Sequence, residues 1–390
     1  MTPVRFGVIA AGRMAGYTML NIMREHPAVV PVAWYEIDPA RPDTAERIAK
    51  LDAAGIDRAA TLEALLARDD LDVVLSATPH YAHAETSIAA LDAGHPVLCE
   101  KPPACDLAQC NEMIRAARRN DRPLLVHFQH LLRPSARWLN RALCQGRLGR
   151  IRRVTCRSLW FRETEYYRRV AWAGRRYYQG RPTLDGTMTN QAVHFINQAL
   201  ALAERTGEAH LARPGELRAA LYRFHPGEAM EMEDTAVAVG TLDNADRTEF
   251  ALAVTTCASG SEGPDRLSEY KGLGGERHEV VLECDGGRAI WNGQARIEPN
   301  DGPAEVFDEP EGPWPFYFHL QNVLAGAEVP MTPIEQSSRV MEMVFAIYEA
   351  AGEQIAQRNW AQHADVAEVL TRCLTGACLP AELDSPPAWV

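Results

Sequence analysis

The sequence predicts an α/β protein, with an N-terminal doubly wound parallel sheet followed by a C-terminal α/β domain built on a large, mainly antiparallel open sheet. Three observations carry this expectation. The first 130 residues alternate short, wholly apolar runs with helical stretches, the pattern of strands covered on both faces. Beyond about residue 215, short strands are joined instead by polar turns of hairpin type. At 390 residues and 46% hydrophobic content, the chain is long enough for two cores. The expected domains are residues 1–125 and 126–390.

In the first domain, Val4–Ala11 reads as a strand and Met14–Arg24 as a helix stopped at His26-Pro27. Val29–Tyr35 is a second buried run. Leu62–Ala67 is a short helix, Leu71–Ala77 a third strand, and His83–Ala93 a helix closed by Gly94. Val97–Cys99 is the fourth strand. Asp106 caps a helix running to about Asn120, and Leu124–Phe128 is the fifth and last strand of the series.

After Pro134 the pattern changes. Ser135–Cys144 reads as a helix and Ile151–Phe161 as a strand. Asp243-Asn244-Ala245-Asp246, Asp285-Gly286-Gly287 and Asn292-Gly293 are turn signals, since Gly and Asn tolerate positive φ. Val280–Cys284, Ala289–Trp291 and Ala295–Ile297 then form an antiparallel meander. Gly260–Gly275 is expected to be a loop, and Gln336–Ala356 a long amphipathic helix.

Composition narrows the partners. A net charge of −12 argues against nucleic acid, which needs a clustered basic footprint. The basic run Arg147–Arg157 alternates with apolar residues, as a strand with one solvated face does. No stretch approaches the roughly 20 apolar residues that span a bilayer. Met1-Thr2-Pro3-Val4-Arg5 leads straight into a strand and lacks the zones of a signal peptide. The nine cysteines are scattered, with no C-x-x-C pair, as expected for free thiols in the cytoplasm. Cys373 and Cys378 have no histidine close by, so no metal site is expected there.

The first strand leads into Ala10-Ala11-Gly12-Arg13-Met14-Ala15, which matches a dinucleotide fingerprint in the register Ala10-x-Gly12-x-x-Ala15. This marks a Rossmann domain. Gly12 lies where backbone approaches the pyrophosphate, and the following helix start offers free N–H groups. Gly7, Arg13 and Met14 complete the candidate loop. The second strand ends in Glu36, 24 residues after Gly12, where an acid accepts hydrogen bonds from the adenosine ribose. Its charge repels a 2′-phosphate, so NAD is favoured over NADP, with Asp38 the fallback acid. Thr78 and Pro79 end the third strand and are expected to line the nicotinamide side. His80, His83, Glu100, Lys101 and Gln129 are further candidate cofactor contacts.

The fourth strand carries Glu100-Lys101-Pro102. A lysine at the carboxyl end of a parallel strand sits at the crevice mouth, where it can orient a substrate hydroxyl and stabilise a developing alkoxide. The proline fixes the backbone, with a cis bond open to it. Downstream, Asn190 and His194 lie four apart on one helical face. Histidine exchanges protons near neutral pH, and asparagine holds a hydroxyl without adding charge. A core histidine satisfied by backbone is the alternative for His194. Candidate substrate contacts are Lys101, Trp172, Tyr177, Asn190 and His194, with Arg133, Tyr178, Glu233, Asp234 and His319 as lesser candidates.

Glu100-Lys101-Pro102 after a Rossmann strand, followed downstream by glycine and Asn-x-x-x-His, resembles the glucose–fructose oxidoreductase/inositol dehydrogenase (Gfo/Idh/MocA) family. Leu71-Asp72-Val73-Val74, Thr78-Pro79, Ala90-Leu91-Asp92-Ala93-Gly94 and Gly146-Arg147-Leu148-Gly149 extend the likeness over nearly the whole chain. The resemblance implies hydride transfer between NAD(P) and a carbon-bound hydroxyl of a sugar, polyol or related molecule. It also implies that Lys101 and His194 are catalytic, and that the protein is a homodimer or homotetramer. Asn190 stands where many members carry aspartate. Ala10 replaces the first fingerprint glycine, Leu131 stands where arginine is common, and Asp185 where glycine is common. A cofactor-binding sensor and an NAD-recycling lyase or glycosidase are the other readings of the same fold.

Overall fold

The structure is a computed structural model that describes residues 2–39, 42–204, 211–257, 277–352 and 354–357. The chain divides into two compact units, Met1–Arg133 with Pro310–Ser338, and Pro134–Glu309 with Arg339–Val390.

The first unit alternates strand and helix: β1 (Val4–Ile9), α1 (Arg13–Tyr17), β2 (Val29–Tyr35), α2 (Pro42–Ala53), β3 (Asp57–Arg58), α3 (Leu62–Leu66), β4 (Val73–Ser76), α4 (His83–Asp92), β5 (Val97–Cys99), α5 (Leu107–Asn120) and β6 (Leu124–Val126). The sheet is parallel, in the order β3-β2-β1-β4-β5-β6. Its order reverses between β1 and β4, the switch point where open α/β sheets bind ligands. Phe6, Val8, Trp34, Val73, Leu75, Leu98 and Leu125 fill the core, each worth about 1.5–3 kcal/mol when a side chain of this size is fully buried. Asp106 accepts the N–H of Gln109 at 2.7 Å and caps α5, as its sequence position predicts.

Two elements of this sheet escaped the sequence pattern. The expected five strands are six, because α2 and the two-residue edge strand β3 lie between Tyr35 and Leu62. A strand of two exposed residues carries no apolar signal. The expected helix Met14–Arg24 is α1 followed by a wider π-helical stretch, Thr18–Met23.

The second unit begins with α6 (Pro134–Cys144), β7 (Ile151–Leu159), α7 (Thr164–Arg168) and the small hairpin β8 (Tyr177–Tyr178) and β9 (Arg181–Pro182). Then follow α8 (Val193–Glu204), β10 (Arg213–Arg223), β11 (Thr235–Asp243), β12 (Glu249–Thr255), β13 (Arg277–Cys284), β14 (Gly287–Trp291), β15 (Ala295–Pro299) and β16 (Glu305–Phe307). The chain closes its described part with α9 (Pro315–Leu324), α10 (Ile334–Ala350) and β17 (Ile355–Gln357). The nine-stranded sheet runs β16-β15-β14-β13-β7-β12-β11-β10-β17. Its pairs are antiparallel except β7 with β12 and β10 with β17. α8 packs on β7 and β13, and buries Phe195, Ile196, Ala199, Leu200 and Leu202. The expected meander, β13-β14-β15, is present with its Gly286-Gly287 and Asn292-Gly293 turns.

Two boundaries differ from expectation. The first unit extends to Arg133 instead of 125, and the chain returns to it over Pro310–Ser338. That return has a packing cause. Phe316, Tyr317 and Leu320 of α9 enter the first core, Tyr317 edge-on to Phe6, and Val126 donates its N–H to Thr332 at 2.9 Å. The helix expected over Gln336–Ala356 ends at Ala350. Gly352 takes a φ of 62°, and Ile355–Gln357 pair with β10 as a strand. The expected loop Gly260–Gly275 lies outside the described residues, as do Cys373 and Cys378. Among the described residues, no helix is long and apolar enough to cross a membrane.

Candidate active site

The candidate dinucleotide loop is built where β1 gives way to α1. Ala10 takes a φ of 100°, a left-handed conformation natural to glycine. Gly12 is the N-cap of α1, and nothing lies within 4 Å of where its Cβ would stand. Arg13 and Met14 are exposed beside it. Glu36, at the end of β2, is buried, with Oε2 accepting the N–H of Ala11 at 2.9 Å and Oε1 that of Asp38 at 3.2 Å. Open backbone at Gly12 and an acid held against the same loop are the features a dinucleotide needs. Gly7 sits deeper, inside β1. A Cβ there would meet Leu71 Cδ1 at 2.5 Å, so its small size serves helix-side packing below the loop.

The reactive end of this unit lies at the carboxyl ends of β4 and β5. Every residue from 97 to 105 is buried except Lys101, which is half-buried. Glu100 lies under it and accepts a hydrogen bond from Nδ1 of His127 at 2.8 Å. Burial opposes the Glu100 charge, but His127, Lys101 and His83 outweigh it and hold its pKa below the usual carboxylate range. His83 bridges the two strand ends, with Nδ1 2.7 Å from the Pro102 carbonyl and Nε2 2.7 Å from that of Thr78. Burial pulls the His83 pKa down, against the Pro102 carbonyl and Glu100. His83 and Glu100 therefore stand behind Thr78 and Lys101 as supports. The Lys101–Pro102 bond is cis. Thr78 and Pro79 are half-buried at the β4 end, His80 is buried beside the His83 ring, and Gln129 opens a short 3₁₀ turn after β6.

The second unit carries its own candidate residues at a helix start. A π-helical stretch, Met188–Ala192, runs into α8, so Asn190 and His194 straddle a wide turn instead of the regular α-helix expected. Every residue from 185 to 203 is buried except Asn190 and His194. Asn190 donates Nδ2–H to Oδ1 of Asp185 at 2.6 Å. Asp185 is fully buried, and its Oδ2 accepts the N–H of Gly174 at 2.8 Å. Beneath the turn lies Glu233, also fully buried, which accepts the N–H of Met188 at 3.1 Å and the O–H of Tyr348 at 3.0 Å. Burial raises the Glu233 pKa to about 7, against the pull of the Met188 N–H. Gly186 is there because a Cβ would stand 2.2 Å from the Glu233 carboxylate.

The remaining substrate candidates differ in burial. Trp172 is half-buried, its ring 5.6 Å from the Arg169 guanidinium, and Tyr177 is 59% exposed on β8. Tyr178 is half-buried, and Arg133 lies over the Trp314 ring. Glu233 and Asp234, read as substrate contacts from the sequence, are buried structural groups. Asp234 Oδ2 accepts the N–H groups of Phe224 and His225 and faces His225 Nδ1 at 2.9 Å. An oxygen so engaged makes a poor metal ligand, although Cys257 also lies within this cluster. His319 belongs to the first unit, where its ring meets Glu328 and the N–H of Met331. His127 and the Asp185 contact were missed. Two adjacent acids before an apolar strand, Glu233-Asp234, were the one sequence signal for buried carboxylates.

Known proteins fit this geometry. Residues 4–128 match the family model of the oxidoreductase family with an NAD-binding Rossmann fold, and residues 136–280 match the GFO/IDH/MocA C-terminal domain. The chain is 33% identical over 150 residues to the dTDP-3,4-didehydro-2,6-dideoxy-alpha-D-glucose 3-reductase of Actinomadura kijaniata, covering 38% of this chain and 44% of that protein. It is 30% identical over 149 residues to the inositol 2-dehydrogenase of Corynebacterium glutamicum, covering 38% and 43%. The chain thus spans less than half the length of these curated relatives. Among solved structures, the WlbA dehydrogenase of Bordetella pertussis in complex with NADH and UDP-GlcNAcA has a TM-score of 0.68 at 23% identity, covering 90% of this chain and 97% of that one. A likeness at that identity speaks for the fold. With both domain models matched in order, the chain belongs to the Gfo/Idh/MocA oxidoreductase family, with NAD as the cofactor of its Rossmann domain.

Proposed function

We propose that this protein is an NAD-dependent dehydrogenase or reductase acting on a CH–OH group of a sugar, polyol or related small molecule. The observation that carries the reading is the pattern of exposure. Lys101 alone emerges from the otherwise buried stretch 97–105, and Asn190 and His194 alone from the otherwise buried stretch 185–203. Partly exposed polar groups on rigid, buried supports are what a site needs.

Bound nicotinamide supplies the hydride acceptor or donor. The protein supplies the proton chemistry and the positioning. His194 takes the hydroxyl proton in the oxidative direction and returns it in the reductive one. Lys101 orients a substrate hydroxyl and favours negative charge on its oxygen. Asn190 holds a neighbouring hydroxyl. The carboxylate Glu100, below Lys101, supports its charge. A homodimer or homotetramer belongs to the same reading, supported by the family resemblance, and so does a cytoplasmic location, supported by the scattered cysteines.

The test is NADH formation across sugars, inositols and sugar acids, followed by Lys101→Ala and His194→Ala with the best substrate. Turnover is expected to fall by about 10²–10⁴-fold in each, with NADH affinity changed less than about threefold. Wild-type turnover in either variant rejects the assignment.

A further inference from the structure

We infer that Asp185 is a positioning residue for the substrate, holding the Asn190 amide with its carbonyl turned away from Asp185 and holding the Trp172–Gly174 turn beside it. This rests on the reading of Asn190 as a substrate-facing group.

A carboxylate only accepts hydrogen bonds, whereas a side-chain amide donates from one end and accepts at the other. The 2.6 Å contact to Asp185 Oδ1 therefore fixes the orientation of Asn190. Nδ2 faces inward, and Oδ1 is the end directed away from Asp185. The other Asp185 oxygen takes the Gly174 N–H at 2.8 Å, with the Arg169 guanidinium at 3.9 Å. One buried carboxylate thus sets both Asn190 and the backbone next to Trp172.

The pairing has a consequence for specificity. With Asn190 read as a substrate-facing group, the carbonyl directed away from Asp185 accepts a hydrogen bond from a substrate O–H. It favours a substrate with a hydroxyl next to the carbon that reacts, a vicinal diol. Aspartate at position 190 would place two carboxylates 2.6 Å apart, which like charges do not tolerate in a buried setting. Asp185 and Asn190 are a matched pair. The charged and titratable groups around them are Arg169, Arg176, Glu233, Tyr348 and, on the same helix, His194.

The experiment compares wild type with Asp185→Ala, Asn190→Asp and the double variant Asp185→Asn/Asn190→Asp, using NAD and myo-inositol, a ring of vicinal hydroxyls. Asp185→Ala should raise KM about tenfold, the worth of one well-oriented hydrogen bond, with kcat and NADH affinity within about threefold. Asn190→Asp should lose thermal stability as pH rises from 5 to 8, and the double variant should recover both stability and KM. Unchanged KM in Asp185→Ala, or an Asn190→Asp protein whose stability follows pH as the wild type does, overturns the inference. A drop in kcat and NADH affinity together would show a merely structural role and also overturns it. A wild type that forms no NADH from any diol sinks the functional reading instead, while the stability arm still decides the pairing.

Discussion

Ala11 donates its N–H to the buried carboxylate of Glu36 at 2.9 Å, so the acid at the end of β2 is tied to the loop that leads into α1. The bond fixes Glu36 against the loop that leads into α1, and we propose that its charge faces the 2′ position of a bound adenosine. Glu36→Gln keeps an oxygen for Ala11 and removes the charge. We expect the ratio of NADPH to NADH dissociation constants to fall about tenfold, in line with loss of a partly screened charge repulsion. Fluorescence titration with both reduced cofactors measures this, and an unchanged ratio would show that Glu36 does not face the ribose.

Ala10 occupies the first fingerprint position with a φ of 100°. An L-residue with a Cβ is strained there by about 1–2 kcal/mol, while glycine is not. Part of that gain is offset by the greater freedom of glycine in the unfolded chain. Ala10→Gly should therefore stabilise the protein by about 1 kcal/mol, raising the unfolding midpoint by a few degrees, with cofactor binding intact. A lower midpoint on calorimetry would mean that the backbone at residue 10 is not left-handed.

Much of this molecule was legible in the sequence, and the failures share a cause. Val29–Tyr35 and Val97–Cys99 were placed to the residue because buried parallel strands are written as unbroken apolar runs. The cis-compatible Lys101–Pro102 and the capping Asp106 follow from local chemistry. What escaped depends on partners distant along the chain. α9 joins the first core through Phe316 and Tyr317, nearly two hundred residues past β6, and no periodicity records that. The role of Asp185 was equally hidden. It stood out only as an odd residue before Gly186, and the Asn190 amide and Gly174 N–H that give it a purpose appear only once the chain folds.

Gly186 lies against the Glu233 carboxylate, and a Cβ on it would come within 2.2–2.5 Å of three carboxylate atoms. Glu233 is held by Met188 and Tyr348 and has no solvent to swing into. Gly186→Ala should destabilise by about 1–3 kcal/mol, the range for overpacking in a buried site. Glu233→Asp in the same protein withdraws the carboxylate by one methylene and should recover part of the loss. Chemical denaturation of the wild type and the two variants is the measurement. A fully stable Gly186→Ala protein would place the carboxylate elsewhere.

Glu233 also sets a pH dependence of stability with a definite sign. Burial raises its pKa in the folded protein to about 7, from an ordinary value of 4.5. The folded state thus holds the proton more tightly than the unfolded chain does between these two values. The stability tied to the protonated carboxyl is complete below about pH 4.5 and is lost as pH rises through about 7. Above that, the ionised group is buried in both Met188 and Tyr348 contacts at a penalty of about 3 kcal/mol, from about 1.4 kcal/mol for each pKa unit. Glu233→Gln keeps an oxygen for the Met188 N–H and an amide for the Tyr348 oxygen, and it carries no charge to desolvate. Its unfolding free energy should decline less than that of the wild type between pH 5 and 7, and the two should cross so that the variant is the more stable at pH 8. Parallel slopes in urea titrations across that range would mean that Glu233 stays ionised in the fold.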